Sequence, residues 1–217
     1  MYKLQLKISS TFVVMLSLSP MAMSQQLNSS PWYITGSVGQ VTGDVSTNDI
    51  KNDLSNSGVT ATDIVIDNVR SGYSFNVVYK LNDSLSVVAG YVDLNEVSVE
   101  ILADVIDPEQ FVNDVNRIHP NSANGFTLGA EYVFELTERF NMGIGAGLYV
   151  WKGDYISSES ISGKLSSNNE ISGTDIYYGV SAEYQITKPL GVILGWQRFN
   201  LAEDKADMWS IGLKYSF

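Results

Sequence analysis

No cysteine occurs among the 217 residues, and His119 is the only histidine. A chain without cysteine forms no disulfide and no thiolate metal site, so hydrogen-bond ladders and packing must hold it together. Positive charge is also scarce, with 13 Lys and Arg against 24 Asp and Glu and a net charge of −11. Phosphate binding relies on clustered cations, so no nucleic-acid partner is expected. Long hydrophobic runs are missing too. The apolar stretch at residues 12–18 falls well short of the ~20 residues a spanning helix needs. It fits a secretory signal instead: Lys3 and Lys7 give a positive start, and Ala22 and Ser24 are small residues at −3 and −1 of a cleavage site. Residues 1–24 are therefore read as a cleaved signal peptide, and 25–217 as one mature domain. Cleavage removes two lysines and leaves the mature chain more acidic still.

Glycine (18) and aromatics (Tyr 12, Phe 8, Trp 4) are plentiful, and the aromatics fall into a pattern. At the C-terminus Trp209, Ile211, Leu213, Tyr215 and Phe217 alternate with Ser210, Gly212, Lys214 and Ser216. A strand sends alternate side chains to opposite faces, so this segment has one apolar, aromatic face and one small or polar face. That division suits lipid outside and a polar interior.

The same alternation recurs at 32–41, 71–80, 85–92, 126–134, 140–150, 176–184 and 190–196. Outward sets include Tyr73, Phe75, Val77 and Tyr79, then Phe126, Leu128, Ala130, Tyr132 and Phe134. Short turns at 81–84, 135–139 and 187–189 alternate with polar stretches at 42–70, 93–124, 152–173 and 200–205. Within the first polar stretch, 64–66 is expected to extend the following strand beyond the membrane. With the closing segment this makes eight strands of crossing length. The expectation is an all-β fold: an eight-stranded antiparallel up-and-down transmembrane β-barrel with tight periplasmic turns and long extracellular loops. Closure is required, because a sheet edge in lipid would leave backbone groups unsatisfied. A soluble barrel of lipocalin type would instead bury the aromatics and expose Glu131, Glu183 and Lys214.

The opening run 32–39 (WYITGSVG), the segments 72–75 (GYSF), 88–91 (VAGY) and 129–132 (GAEY), and the closing strand carry a resemblance. With these the chain resembles the outer membrane protein A (OmpA) transmembrane family and the related OmpX-type barrels. The resemblance implies residence in the Gram-negative outer membrane, with outer-membrane lipid and lipopolysaccharide as surroundings. It also implies that Trp209, Ile211, Leu213, Tyr215 and Phe217 form the signal read by the barrel-assembly machinery. The chain stops at Phe217, where longer family members continue into a peptidoglycan-binding domain, so no peptidoglycan tether is expected.

Inward Lys80, Glu131, Glu183 and Lys214 lie toward the periplasmic strand ends. Charges in so narrow a lumen need partners, so the two glutamates are expected to meet Lys214 or Lys80 in a structural plug. Re-pairing of those charges would be the basis of a gated pore. Inward Gly143, Gly145 and Gly147 are read as making room for Tyr149 or Tyr177, with a small lumenal cavity as the alternative.

In the second long loop, 108–118 starts after Asp107 with Pro108 and repeats Phe111, Val112, Val115 and Ile118 at helical spacing. This helix is expected to cap the barrel mouth or meet a partner. The loop's seven carboxylates, Asp93, Glu96, Glu100, Asp104, Asp107, Glu109 and Asp114, fit no calcium-loop spacing and read as a hydrated surface. Lipid A-modifying enzymes share the scaffold and use His with Ser or acidic partners, but His119 and Ser122 sit in no triad-like pattern. The expected protein is a monomeric, non-enzymatic barrel without cofactor or metal, whose acidic loops meet surfaces or host ligands. A narrow pore and a lipid A-modifying enzyme are the alternatives.

Overall fold

The computed structural model describes residues 2–5, 30–44, 46–56, 60–95, 98–103, 123–158, 166–202 and 204–217. In chain order the elements begin with β1 (Tyr2–Gln5), β2 (Trp32–Gly43), α1 (Thr47–Asn56), β3 (Ala61–Asp67), β4 (Val69–Lys80) and β5 (Leu85–Asp93). They continue with β6 (Ser98–Ala103), β7 (Asn124–Glu135), β8 (Phe140–Ser158), β9 (Ser166–Gln185), β10 (Leu190–Leu201) and β11 (Asp204–Ser216). Strands β2, β4, β5 and β7 to β11 form a closed antiparallel barrel of eight strands. β11 closes it on β2, with Met208 opposite Val41 and Tyr215 opposite Ile34. The two chain ends of the barrel are tied together, since Ser30 N–H donates to the Phe217 carbonyl at 3.2 Å.

The three tight turns repeat one construction. In each, an apolar residue and the Asn or Thr after it both donate backbone N–H to the carbonyl of the apolar residue that opens the next strand. The pairs are Leu81 and Asn82 onto Leu85, Leu136 and Thr137 onto Phe140, and Ile186 and Thr187 onto Leu190. Asn82 Oδ1 also accepts from the N–H groups of Ser84 and Leu85, and Thr137 Oγ1 from those of Arg139 and Phe140. Pro189 lacks the corresponding N–H, and Gln185 Nε2 donates to the Lys188 carbonyl instead.

The outer face is apolar, with an aromatic belt at each end. Near the turns Trp32 packs on Tyr79 (4.7 Å), Tyr132 on Phe134 (4.8 Å) and Tyr215 on Phe217 (5.4 Å). Toward the opposite end Tyr91 packs on Phe126 (5.4 Å), Tyr178 on Trp196 (6.0 Å) and Trp196 on Trp209 (6.5 Å). Aliphatic side chains such as Leu128, Ile144, Leu194 and Ile211 fill the band between. Among the described residues no helix is long and apolar enough to cross a membrane, a test that does not apply to strands.

Beyond the second belt the alternation changes sign. Lys152, Asn200 and Lys205 continue the outward faces of their strands, while Trp151, Phe199, Leu201, Ala206 and Met208 turn inward and are buried. The strands have left lipid and entered water, where a barrel keeps its apolar side inside. The expected polar interior therefore holds only for the turn half of the lumen. The other half is an apolar core of Val41, Val92, Leu94, Tyr149, Trp151, Tyr177, Phe199 and Met208 with small neighbours.

Two hairpins rise from this end: β8–β9, and the β4–β5 hairpin, whose two arms continue outward as β3 and β6. β8 and β9 stay paired from Lys152 opposite Ser172 out to Ser158 opposite Ser166, which corrects the reading of 152–173 as a loop. β3 leads through Asn68 into β4 and pairs with β6, as expected for 64–66, and α1 replaces part of the polar stretch 42–70. Ile50 and Leu54 of α1, Ile64 of β3 and Ile101 of β6 are all buried. Asn95 takes a left-handed φ of 58° as the chain leaves β5, and its N–H is held by Asp93 Oδ1 at 2.7 Å. The helix expected at 108–118, and His119, lie outside the described residues.

Candidate functional site

The lumen below the apolar core gathers the charged residues singled out in the sequence. Lys214 Nζ on β11 lies 2.7 Å from Glu183 Oε2 on β9, and both side chains are largely shielded, 11% and 14% exposed. The Lys214 ammonium also sits 4.3 Å from the centre of the Tyr33 ring, a cation–π contact. Lys80 stands on the same ring at 5.8 Å. Glu131 is not brought to a lysine. Its carboxylate accepts from Tyr33 OH at 3.2 Å and from Ser181 Oγ at 2.9 Å. Tyr33 thus links the two carboxylates, one through its hydroxyl and one through the ammonium over its ring.

In the alternation of 32–41 and 176–184, Tyr33 and Ser181 fall on the inward faces, and nothing in the sequence assigns them a role. What it could not supply was register. Asn141 opposite Glu183 and Gly145 opposite Glu131 set the two glutamates at different heights in the barrel. The inward glycines then divide in function. A Cβ on Gly143 would lie 2.5 Å from both Glu131 Oε1 and Ser181 Oγ, so the missing side chain leaves room for that hydrogen bond. A Cβ on Gly147 would run into the Leu128 carbonyl and Gly129 Cα and would lie 2.8 Å from Tyr177 Cε1, so this glycine makes room for the facing β7 backbone and for an aromatic ring.

A cavity of about 110 Å³ occupies this half of the lumen, bordered by Thr35, Asn76, Glu131, Ser181, Glu183 and Gln197 among others. Polar groups and apolar side chains such as Val78, Val88 and Ile193 share its lining about equally, and it is roomy enough for several waters. Above it the aromatic layer closes the way. Phe199 lies 5.1 Å from Tyr149 and stacks on Tyr177 at 5.8 Å, with interplanar angles of 62° and 19°. Trp151 Nε1 donates to Asp175 Oδ2 at 2.8 Å, which satisfies the indole at the rim of this layer. Among the described residues no group of three or more His, Cys, Asp or Glu side chains could hold a metal ion. The arrangement is a hydrogen-bonded interior under an apolar stopper.

Residues 9–217 match the family model described as "Outer membrane protein beta-barrel domain". The chain belongs to this family.

Among solved structures, this outer-membrane barrel is similar to the N-terminal β-barrel domain of OprF from Pseudomonas aeruginosa. Identity is 12%, covering 88% of this chain and 100% of that one, with a TM-score of 0.48. It is similar to OprG of the same organism, at 12% identity over 87% and 97% of the two chains and a TM-score of 0.47. The attachment invasion locus protein Ail of Yersinia pestis gives 12% identity, 85% and 98% coverage and 0.45. The comparison with curated proteins finds no match.

In this outer-membrane barrel the residues of the closing strand, Trp209, Ile211, Leu213, Tyr215 and Phe217, are exposed on the lipid face. Their outward aromatics belong to both belts, Trp209 to one and Tyr215 with Phe217 to the other.

Proposed function

We propose that this chain is a non-enzymatic outer-membrane protein of a Gram-negative envelope, anchored by its barrel and acting through the two hairpins that stand outside it. One observation carries this reading. The lumen is stoppered by buried aromatics, while β8–β9 and β3–β6 with α1 extend as ordered structure beyond the outer belt. An ordered hairpin presents contact groups without a large ordering cost on binding, which suits recognition of a surface or host ligand. Residues 1–24 serve as the export signal, the closing strand is read by the assembly machinery, and the barrel works as a monomer in outer-membrane lipid and lipopolysaccharide. The lumenal cavity favours a narrow pore as the second reading, and the aromatic layer above it opposes that. A lipid A-modifying role would depend on His119, and an unchanged lipid A profile in His119→Ala would end it.

The test is complementation of a deletion strain with chains in which 46–67 together with 96–122, or 153–172, are replaced by tight turns. Heat-shifted gel mobility confirms that each barrel is folded. Loss of surface attachment with intact envelope integrity is the expected result. Full retention of attachment by both chains would overturn the proposal.

A further inference from the structure

β6 has two edges. One pairs with β3, and along the other lies β1, with Tyr2 opposite Ala103, Lys3 opposite Leu102, Leu4 opposite Ile101 and Gln5 opposite Glu100. β1 belongs to the stretch read as a cleaved leader. Among the described residues nothing else pairs with that edge, so removal of β1 bares a row of N–H and C=O groups along β6, which is a template for another strand. The barrel does not depend on β1, because every barrel ladder lies within residues 32–216. The hairpin also has its own support, since Ile50, Leu54, Ile64 and Ile101 are buried.

We propose that the free edge of β6 is a strand-docking site that takes an extended, basic segment of a partner protein by β-augmentation. The segment seated there alternates apolar and polar residues, Tyr2 and Leu4 with Lys3 and Gln5, and carries positive charge without an acid. The hairpin and its helix are acidic: residues 43–68 hold Asp44, Asp49, Asp53, Asp63 and Asp67 against Lys51, and β6 holds Glu100. The opposite net charges of the segment and of the acidic extension favour such a partner. A second copy would set two acidic hairpins edge to edge, which the same electrostatics disfavour. This site rests on the proposed role of the hairpins and on loss of the leader.

The probe is a fluorescent peptide of residues 1–8, titrated in detergent micelles against the folded chain 25–217 and the folded full chain. Saturable binding to 25–217 is expected, with binding at least about tenfold weaker to the full chain, whose edge is already filled. N-methylation at alternate peptide residues keeps the side chains but removes ladder donors, and should also weaken binding about tenfold. Glu100→Lys should weaken it while gel mobility shows a folded barrel. Absent binding to 25–217, equal binding to both chains, or equal binding of the N-methylated peptide would overturn the proposal. So would dimerisation of 25–217 that the peptide does not reverse, because a second copy would then be the occupant. Attachment that is lost on hairpin replacement while no peptide binds would sink the edge site alone and leave the role of the hairpins standing.

Discussion

The hydroxyl of Tyr33 on β2 donates to Glu131 Oε2 on β7 across the lumen at 3.2 Å, between residues 98 positions apart. The ring of the same tyrosine lies under the Lys214 ammonium that pairs with Glu183. Strands β2, β7, β9 and β11 are thereby joined through the interior as well as around the wall.

The Lys214–Glu183 pair should behave as a shielded ion pair. Glu183→Leu or Lys214→Met alone leaves one charge without its partner in the lumen and should cost about 3 kcal/mol. Joint replacement as Glu183→Leu with Lys214→Met should recover most of that loss, since both charges then disappear together. Urea unfolding followed by tryptophan fluorescence in micelles would measure the cycle. Additive losses in the double variant would show that the pair has no lumenal coupling.

The glycines separate in the same assay. Gly36 faces outward, and a Cβ there would meet nothing within 4 Å, so Gly36→Ala should be neutral or slightly stabilising. At Gly147 the added methyl would press on the Tyr177 ring and on the facing β7 backbone. Gly147→Ala should therefore destabilise by about 1–3 kcal/mol. Equal effects at the two sites would contradict the close approach of the β7 backbone and the Tyr177 ring to Gly147.

Depth on the barrel wall gives a further contrast. Leu194 lies in the apolar band and Asn200 lies beyond the outer belt, both on the outward face of β10. Leu194→Arg should cost about 2–4 kcal/mol, as for a cation near the bilayer midplane. Asn200→Arg, which loses an exposed bond to the Ile176 carbonyl and faces Lys205, should cost no more than about 1 kcal/mol. Similar costs at both positions in lipid bilayers would mean that the membrane boundary is misplaced.

The eight strands and their faces were legible because lipid imposes apolar residues on one side, and period-two alternation displays that directly. The turns were legible from Asn, Asp, Thr and Pro. The segment 64–66 was correctly read as strand because Ile64, Val65 and Ile66 are β-branched. The aromatic stopper was not legible. Phe199, Leu201, Ala206 and Met208 follow or precede the last lipid-facing residue, where inside and outside exchange polarity, and a search for apolar outward faces stops there. The β8–β9 extension was hidden by a run of Ser and Asn, whose pairing is set by the hairpin register already established below it. α1 was missed because Ile50 and Leu54 are the only large apolar residues on ten positions, too few to show a helical period. The charged residues of the lumen were visible one by one. Which of them meet depends on register, and that assigned Glu183 to Lys214 and left Glu131 to two hydroxyls.

Planar-bilayer recording is the most direct test of a stoppered lumen. The native barrel should give no stepwise conductance. Tyr149→Ala with Phe199→Ala, confirmed as folded by gel mobility, removes two rings of the layer above the lumenal cavity and should open small, cation-preferring steps. Native protein that conducts as readily as the double variant would show that the lumen is an open path, and would return the function to the pore.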